Sequence, residues 1–233
     1  MASPDNDWRA TASFENLQDG FRVRLLVSAH DGTAWSPIDI AGDGVGYTYP
    51  SLKYWSPDSR YFFFAERVAG GSCDFFPIED HWKRLDVRTG KLDDYPLPEG
   101  RGHAISRDGS LLAYASAGPP NQVIIEDLAG GVELSLDLHS AVAQAGDFLW
   151  NAQSSAIAFT TSTAAFCDST VPSFQVLRFD IGGTEFTPLI SVGADLLHPN
   201  LWSQAGAILL EDWNGQSWWI DEETGQTVPA PPE

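Results

Sequence analysis

The chain of 233 residues is predicted to be all-β, a single β-propeller of about five blades of four antiparallel strands with the first blade incomplete. Three observations lead there. A polar turn followed by an unbroken apolar strand occurs four times, as WSPDSRYFFFAE from Trp55, ISRDGSLLAYAS from Ile105, WNAQSSAIAFTT from Trp150 and WSQAGAILLEDW from Trp202. These starts lie 50, 45 and 52 residues apart, the period of a four-stranded propeller blade. Composition agrees: 21 Gly and 15 Pro favour turns and short strands over long helices, while 43% hydrophobic residues with nine Trp and thirteen Phe exclude a disordered chain.

Each element follows from this repeat. Six to nine residues after the starts stand Phe62-Phe63-Phe64, Leu112-Ala113-Tyr114, Ile157-Ala158-Phe159 and Ile208-Leu209-Leu210. Apolarity without alternation means a strand covered on both faces. A further apolar strand then ends in Asp with Gly three or four residues on, at Asp86 and Gly90, Asp127 and Gly131, Asp180 and Gly183, Asp221 and Gly225. Gly suits the left-handed position of a tight hairpin into an outermost strand. Those outer strands are LDDYPLP, VELSLDL, EFTPLI and QTVPAP, and Pro in three of them fits an edge. Ahead of the first full unit, RVRLLVSAHDG matches the third strand and AWSPIDI the outer one. RATASFEN is expected to pair with FRVRLLVS in a hairpin through Leu17 to Gly20, which leaves the innermost strand of this blade missing. The blade units are approximately 11–42, 47–98, 102–138, 146–190 and 198–229, all within one domain of residues 1–233.

The formal charge is −19, from 32 acidic against 13 basic residues. Such a field repels phosphate backbones and anionic lipid, so no nucleic-acid partner is expected. No apolar run approaches the roughly 20 residues of a membrane-spanning helix, and the start MASPDNDW lacks the basic and apolar parts of a signal peptide.

The turn-strand units carry a resemblance. WSPDSRYFFFAE and ISRDGSLLAYAS are similar to the Ser-Pro-Asp-Gly repeat of TolB-type, WD-repeat-like bacterial β-propellers, over roughly residues 20 to 229. Ser56-Pro57-Asp58 matches that motif and Ser106-Arg107-Asp108-Gly109 nearly does, whereas the units at Asn151 and Ser203 have lost the turn acid. The resemblance implies a protein partner at an envelope or outer surface.

Two connections between second and third strands are long, residues 67–81 and 162–173, and each holds one of the only two cysteines. Cys73 lies 13 residues before Asp86 and Cys167 lies 13 before Asp180, equivalent places in their units. One reading is a disulfide that ties the loops and implies an oxidising, exported location; the other is a pair of unbridged small hydrophobes. Beside them stand Asp74, Phe75, Phe76, Phe166 and Asp168, which with Trp213 make a candidate binding face, the alternative being a satellite core under the loops. Of the run Trp202, Trp213, Trp218 and Trp219, Trp202 and Trp219 align with apolar or long-stemmed strand positions and read as core rather than a carbohydrate platform. The recurring Asp86, Asp127, Asp180 and Asp221 are expected to order turns rather than to catalyse. Near the innermost positions Tyr54, Ala104, Leu149 and Leu201 no acid-base pair is expected. The five histidines show no ligand spacing, and no metal, cofactor or catalytic motif is expected. The function expected is a non-catalytic binding or scaffold propeller holding a protein or peptide on one loop face. The alternatives are a glycan-binding lectin, or a propeller glycosidase or peptidase gating domain.

Overall fold

A computed structural model describes residues 1–42, 48–68, 75–76, 78–165, 168, 171–191, 196–212 and 214–229. All regular structure among them is β, in five antiparallel groups. The first is β1 (Trp8–Leu17), β2 (Gly20–Ala29) and β3 (Ala34–Gly42). The second runs from β4 (Thr48–Trp55) through β5 (Tyr61–Val68) and β6 (Ile78–Asp86) to the first part of β7 (Lys91–Ile105). From Gly100 onward β7 pairs instead with β8 (Leu111–Ser116), followed by β9 (Gln122–Asp127) and β10 (Gly131–Asp137). The fourth is β11 (Gln144–Trp150), β12 (Ala156–Ser162), β13 (Phe174–Asp180) and β14 (Thr187–Ser191). The fifth is β15 (Leu197–Trp202), β16 (Ala207–Asp212), β17 (Ser217–Asp221) and β18 (Thr227–Val228).

The chain groups into two compact units, Met1–Ser72 with Asp80–Pro98, and Cys73–Glu79 with Glu99–Glu233. In the first unit the core is the packing of sheet one on sheet two, with Ala10, Leu25, Val27 and Ile38 against Trp55, Phe62, Phe64, Leu85 and Val87. In the second unit Val123 and Ile125 of the third sheet meet Trp150, Ile157, Phe159 and Phe179 of the fourth, whose opposite face, Ala156, Ala158 and Val176, meets Leu197, Trp202, Ile208 and Leu210 of the fifth. The second strands are therefore covered on both sides: Phe62 to Ala65 and Leu112 to Ala115 are all buried. Trp202 is core, as the sequence suggests, and Trp218 packs against it.

The turns explain why the repeat folds locally. Ser56 Oγ donates to Asp58 Oδ1 at 2.6 Å and accepts the Tyr61 N–H at 2.8 Å, while Ser59 takes φ 56°. Ser106 and Asp108 repeat this, with Gly109 at φ 78°. Where the acid is lost, Asn151 Oδ1 accepts the N–H groups of Ser155 and Ala156 instead. The third-strand aspartates act on the following hairpins: Asp86, Asp127 and Asp221 accept the N–H groups of Arg88, Ala129 and Thr224. Asp180 is held by Arg178. In that fourth sheet the left-handed residue is Gly182, one place before the expected Gly183.

A fifth copy of the turn, unread in the sequence, opens the chain. Ser3 Oγ donates to Asp5 Oδ1 at 2.6 Å and accepts the Trp8 N–H at 3.0 Å, and Asn6 takes φ 63°. Ser3-Pro4-Asp5 therefore stands where Ser56-Pro57-Asp58 stands. Met1 exchanges hydrogen bonds with Ala10 and Ala2 bridges to Arg9, so the two residues lie antiparallel beside β1.

Candidate functional site

The innermost strand of each four-stranded group breaks register at an equivalent point. The slips fall between Leu52 and Tyr54, Arg101 and Ala104, Gly146 and Leu149, and Pro199 and Leu201. A bulge adds a residue, bends the strand and re-aims its side chains, so this recurring defect decides what the inner strands present. The residues in the slips are Lys53, Gly102 with His103, Asp147 with Phe148, and Asn200. In the first unit the Lys53 ammonium lies 5.5 Å over the Trp82 ring.

In the second unit the slips gather polar groups. Gly102 has φ 68°, and a Cβ on it would lie 2.7 Å from Gly146 Cα and 2.8 Å from Asp147 N, so β7 and β11 touch backbone to backbone there. Asp147 itself is left-handed at φ 54°. Its carboxylate meets His198 Nδ1 of β15 at 2.5 Å, each side chain a little over a quarter exposed. This corrects the expectation for the inner strands: they do present an acid-base pair, from residues 51 apart in sequence. Beside Gly102, the buried His103 ring stacks on Tyr114 at 4.9 Å, with Nδ1 3.8 Å from the buried Glu79. The Tyr114 hydroxyl donates to Glu126 at 2.7 Å; burial first, and then this carboxylate, push its pKa well above the ordinary range.

The long loop before β6 is pinned to the same strands. Buried Arg101 donates to the Phe76 and Ala117 carbonyls at 3.1 and 2.9 Å, and the Phe75 N–H donates to Gln144 Oε1 at 3.0 Å. Phe76 is buried with Phe174 and Leu196, and Phe75 stands edge-on to Phe174 at 4.9 Å. Three loop ends, those entering β6, β13 and β15, thus share one apolar cluster. Of the candidate binding residues, then, Phe76 is inside that cluster and Phe75 on its flank. Asp168 is exposed, its carboxylate accepting the Ala165 N–H, and Val171 nearby in the chain is 79% exposed. Cys73, Asp74, Phe166, Cys167 and Trp213 lie outside the described residues.

Chemically the arrangement offers hydrogen-bonding groups and, among the described residues, two imidazole-carboxylate pairs, Asp147 with His198 and Glu79 with His103. Among the described residues no group of three His, Cys, Asp or Glu is placed to hold a metal ion. No described helix is long and apolar enough to cross a membrane.

No family model matches the chain, and no curated protein sequence matches it. Solved structures do. The chain is similar to TolB from Acinetobacter baumannii, with TM-score 0.54 and 16% identity over 96% of this chain and 51% of that one. It is similar to an oligogalacturonate lyase in complex with manganese, with TM-score 0.54 and 16% identity over 98% and 61%. It is also similar to the β-propeller domain of the trilobed protease from Pyrococcus furiosus, with TM-score 0.50 and 10% identity over 95% and 67%. At these identities the likeness is one of fold: the chain is an all-β propeller of several blades. It spans about half the length of the TolB structure and about three-fifths of the lyase.

Proposed function

We propose that this propeller is a non-enzymatic binding module that holds a protein or peptide at the end of its sheets where the loops entering β6, β13 and β15 meet. One observation carries the reading: Phe75, Phe76, Phe174 and Leu196 lock those loops onto one another and, through Arg101 and Gln144, onto the inner strands. Loops set on a rigid scaffold are where binding residues concentrate. The charge of −19 favours a partner with a basic segment. Export and a Cys73–Cys167 disulfide belong to the same proposal, and the contact of Phe75 with Phe174 supports the bridge by bringing the two cysteine-bearing loops together.

The test is binding of the labelled chain to peptide and glycan arrays, with and without reductant. Retention on Lys- and Arg-rich peptides, lost on reduction and weakened by Val171→Asp at unchanged melting temperature, is the expected result. Retention on glycans alone would replace this reading with that of a lectin. Binding indifferent to reductant would remove the bridge from it.

A further inference from the structure

The apolar cluster at the loop ends is seated on a titratable pair. A Cβ on Gly146 would lie 2.5 Å from Phe76 Cγ, so the buried Phe76 ring rests on the backbone of β11 one residue before Asp147. Leu196 of the same cluster stands two residues before His198 of β15. The Asp147 carboxylate and His198 Nδ1 meet at 2.5 Å, and each side chain keeps a little over a quarter of its surface. The pair is therefore fixed by packing and still reached by solvent.

Its surroundings are anionic. β15 packs on β11, β12, β13 and β16. On β16, Glu211 lies opposite His198 in the register and accepts from Asn200 Nδ2, while Asp212 lies opposite Leu197. β12 brings no charged group; its Thr160 hydroxyl donates to the Leu197 carbonyl at 2.6 Å. β13 brings Arg178 and Asp180, which pair with each other, and the Arg178 guanidinium stands 5.9 Å over Trp202 at the far end of β15. The distribution of charge agrees, since the second compact unit holds 19 of the 32 acids against three basic residues, Arg101, Arg107 and Arg178. Of these, Arg101 is buried against the Phe76 and Ala117 carbonyls.

We propose that Asp147 receives the ammonium or guanidinium group of the partner's basic segment, and that a proton on His198 competes with it. This rests on the loop-end reading above and adds the anchoring group and its control. Imidazole is the side chain whose ordinary titration falls between about pH 5 and 8. When it is neutral, Nδ1–H donates to Asp147 and the pair keeps one negative charge; a carboxylate has acceptor sites enough for a second donor. When it is protonated, the imidazolium cancels that charge and the incoming cation meets a neutral pair. One charge at about 10 Å near a protein surface changes affinity roughly tenfold. Linkage makes the competition reciprocal, so binding near the midpoint expels the proton.

The probe is hexalysine, acetylated and amidated so that its own charge stays constant, titrated into the full chain by calorimetry from about pH 5 to 8. Affinity is expected to rise about tenfold across that range. His198→Asn keeps an amide donor beside Asp147 and has no titrating proton, so its affinity should stay at the high-pH level throughout. Asp147→Asn suits the left-handed φ of 54° and should bind about tenfold more weakly than the parent at the high-pH end. His139→Asn, exposed elsewhere in the same unit, should leave the profile as it is. Affinity indifferent to pH, or a pH profile that survives His198→Asn, would overturn the proton competition and leave the loop-end reading standing. Absence of hexalysine binding at every pH would overturn both.

Discussion

Replacing Gly102 by Ala separates two costs that the inner-strand bulge combines. The first is conformational: φ is 68°, and an L-residue there gives up roughly 1 kcal/mol relative to Gly. The second is steric: the methyl carbon would stand 2.7 Å from Gly146 Cα and 2.8 Å from Asp147 N, both backbone, so two strands must part. Overpacking of that kind costs about 1–3 kcal/mol, and the sum is roughly 3 kcal/mol. For a chain of this size that lowers the melting temperature by about 6–12 °C. Two substitutions in the same compact unit calibrate it. Gly182→Ala, at φ 88° with nothing within 4 Å, isolates the conformational part; Gly130→Ala, with open space around it, is close to neutral. Urea unfolding of the three variants followed by tryptophan fluorescence gives the differences directly. If Gly102→Ala loses no more stability than Gly182→Ala, the backbone contact between β7 and β11 is not present and the grouping of polar residues around it fails with it.

Ser106→Ala should cost about 1–2 kcal/mol, because the buried hydroxyl both donates to Asp108 and accepts the Leu111 N–H; Ser106→Asn should recover part of this, as Asn151 does in the fourth unit, and the urea midpoint measures both. Phe76→Ala should cost about 3–5 kcal/mol. Its combination with Gly146→Ala should be milder than the two single losses added, since of the contacts a methyl at 146 would make, those to the Phe76 ring at 2.5 and 2.7 Å go with the first change while that to the Phe76 Cβ at 2.6 Å stays; calorimetry of all three variants tests it. Stability should fall in acid through the turn carboxylates. Hydroxyl donors hold Asp58, Asp108 and Asp221, and the Arg60 guanidinium holds Asp86, below the ordinary value of 3.8. Their contribution is complete above that value and is lost as pH drops through the lower folded values. Asp86→Asn should therefore flatten the decline in melting temperature below about pH 4, and a decline unchanged by it would refute Asp86 as a contributor.

The parts of this protein that could be read in one dimension are those whose causes are local. Ser56-Pro57-Asp58 closes its own turn, Phe62-Phe63-Phe64 declares a strand covered twice, and the spacing of the repeats declares the sheets; even the three strands of the first group follow from RATASFEN and FRVRLLVS facing across Leu17 to Gly20, with AWSPIDI after them. The turn at Ser3-Pro4-Asp5 carried the same signal but leads into Trp8-Arg9-Ala10-Thr11, which lacks the apolar run that made the other copies conspicuous. The burial of Phe76 was one of two readings open for the loops.

What the amino-acid order determined alone was therefore the succession of turns and strands, since each depends on hydrogen bonds and burial within a few residues. The tertiary structure decided what meets what. Asp147 and His198 are 51 residues apart, and their contact needs adjacent inner strands, a glycine at 102 that lets two backbones touch and a bulge that turns Asp147 left-handed. No periodicity in the sequence encodes such a meeting, because it depends on register between strands and not on order within one.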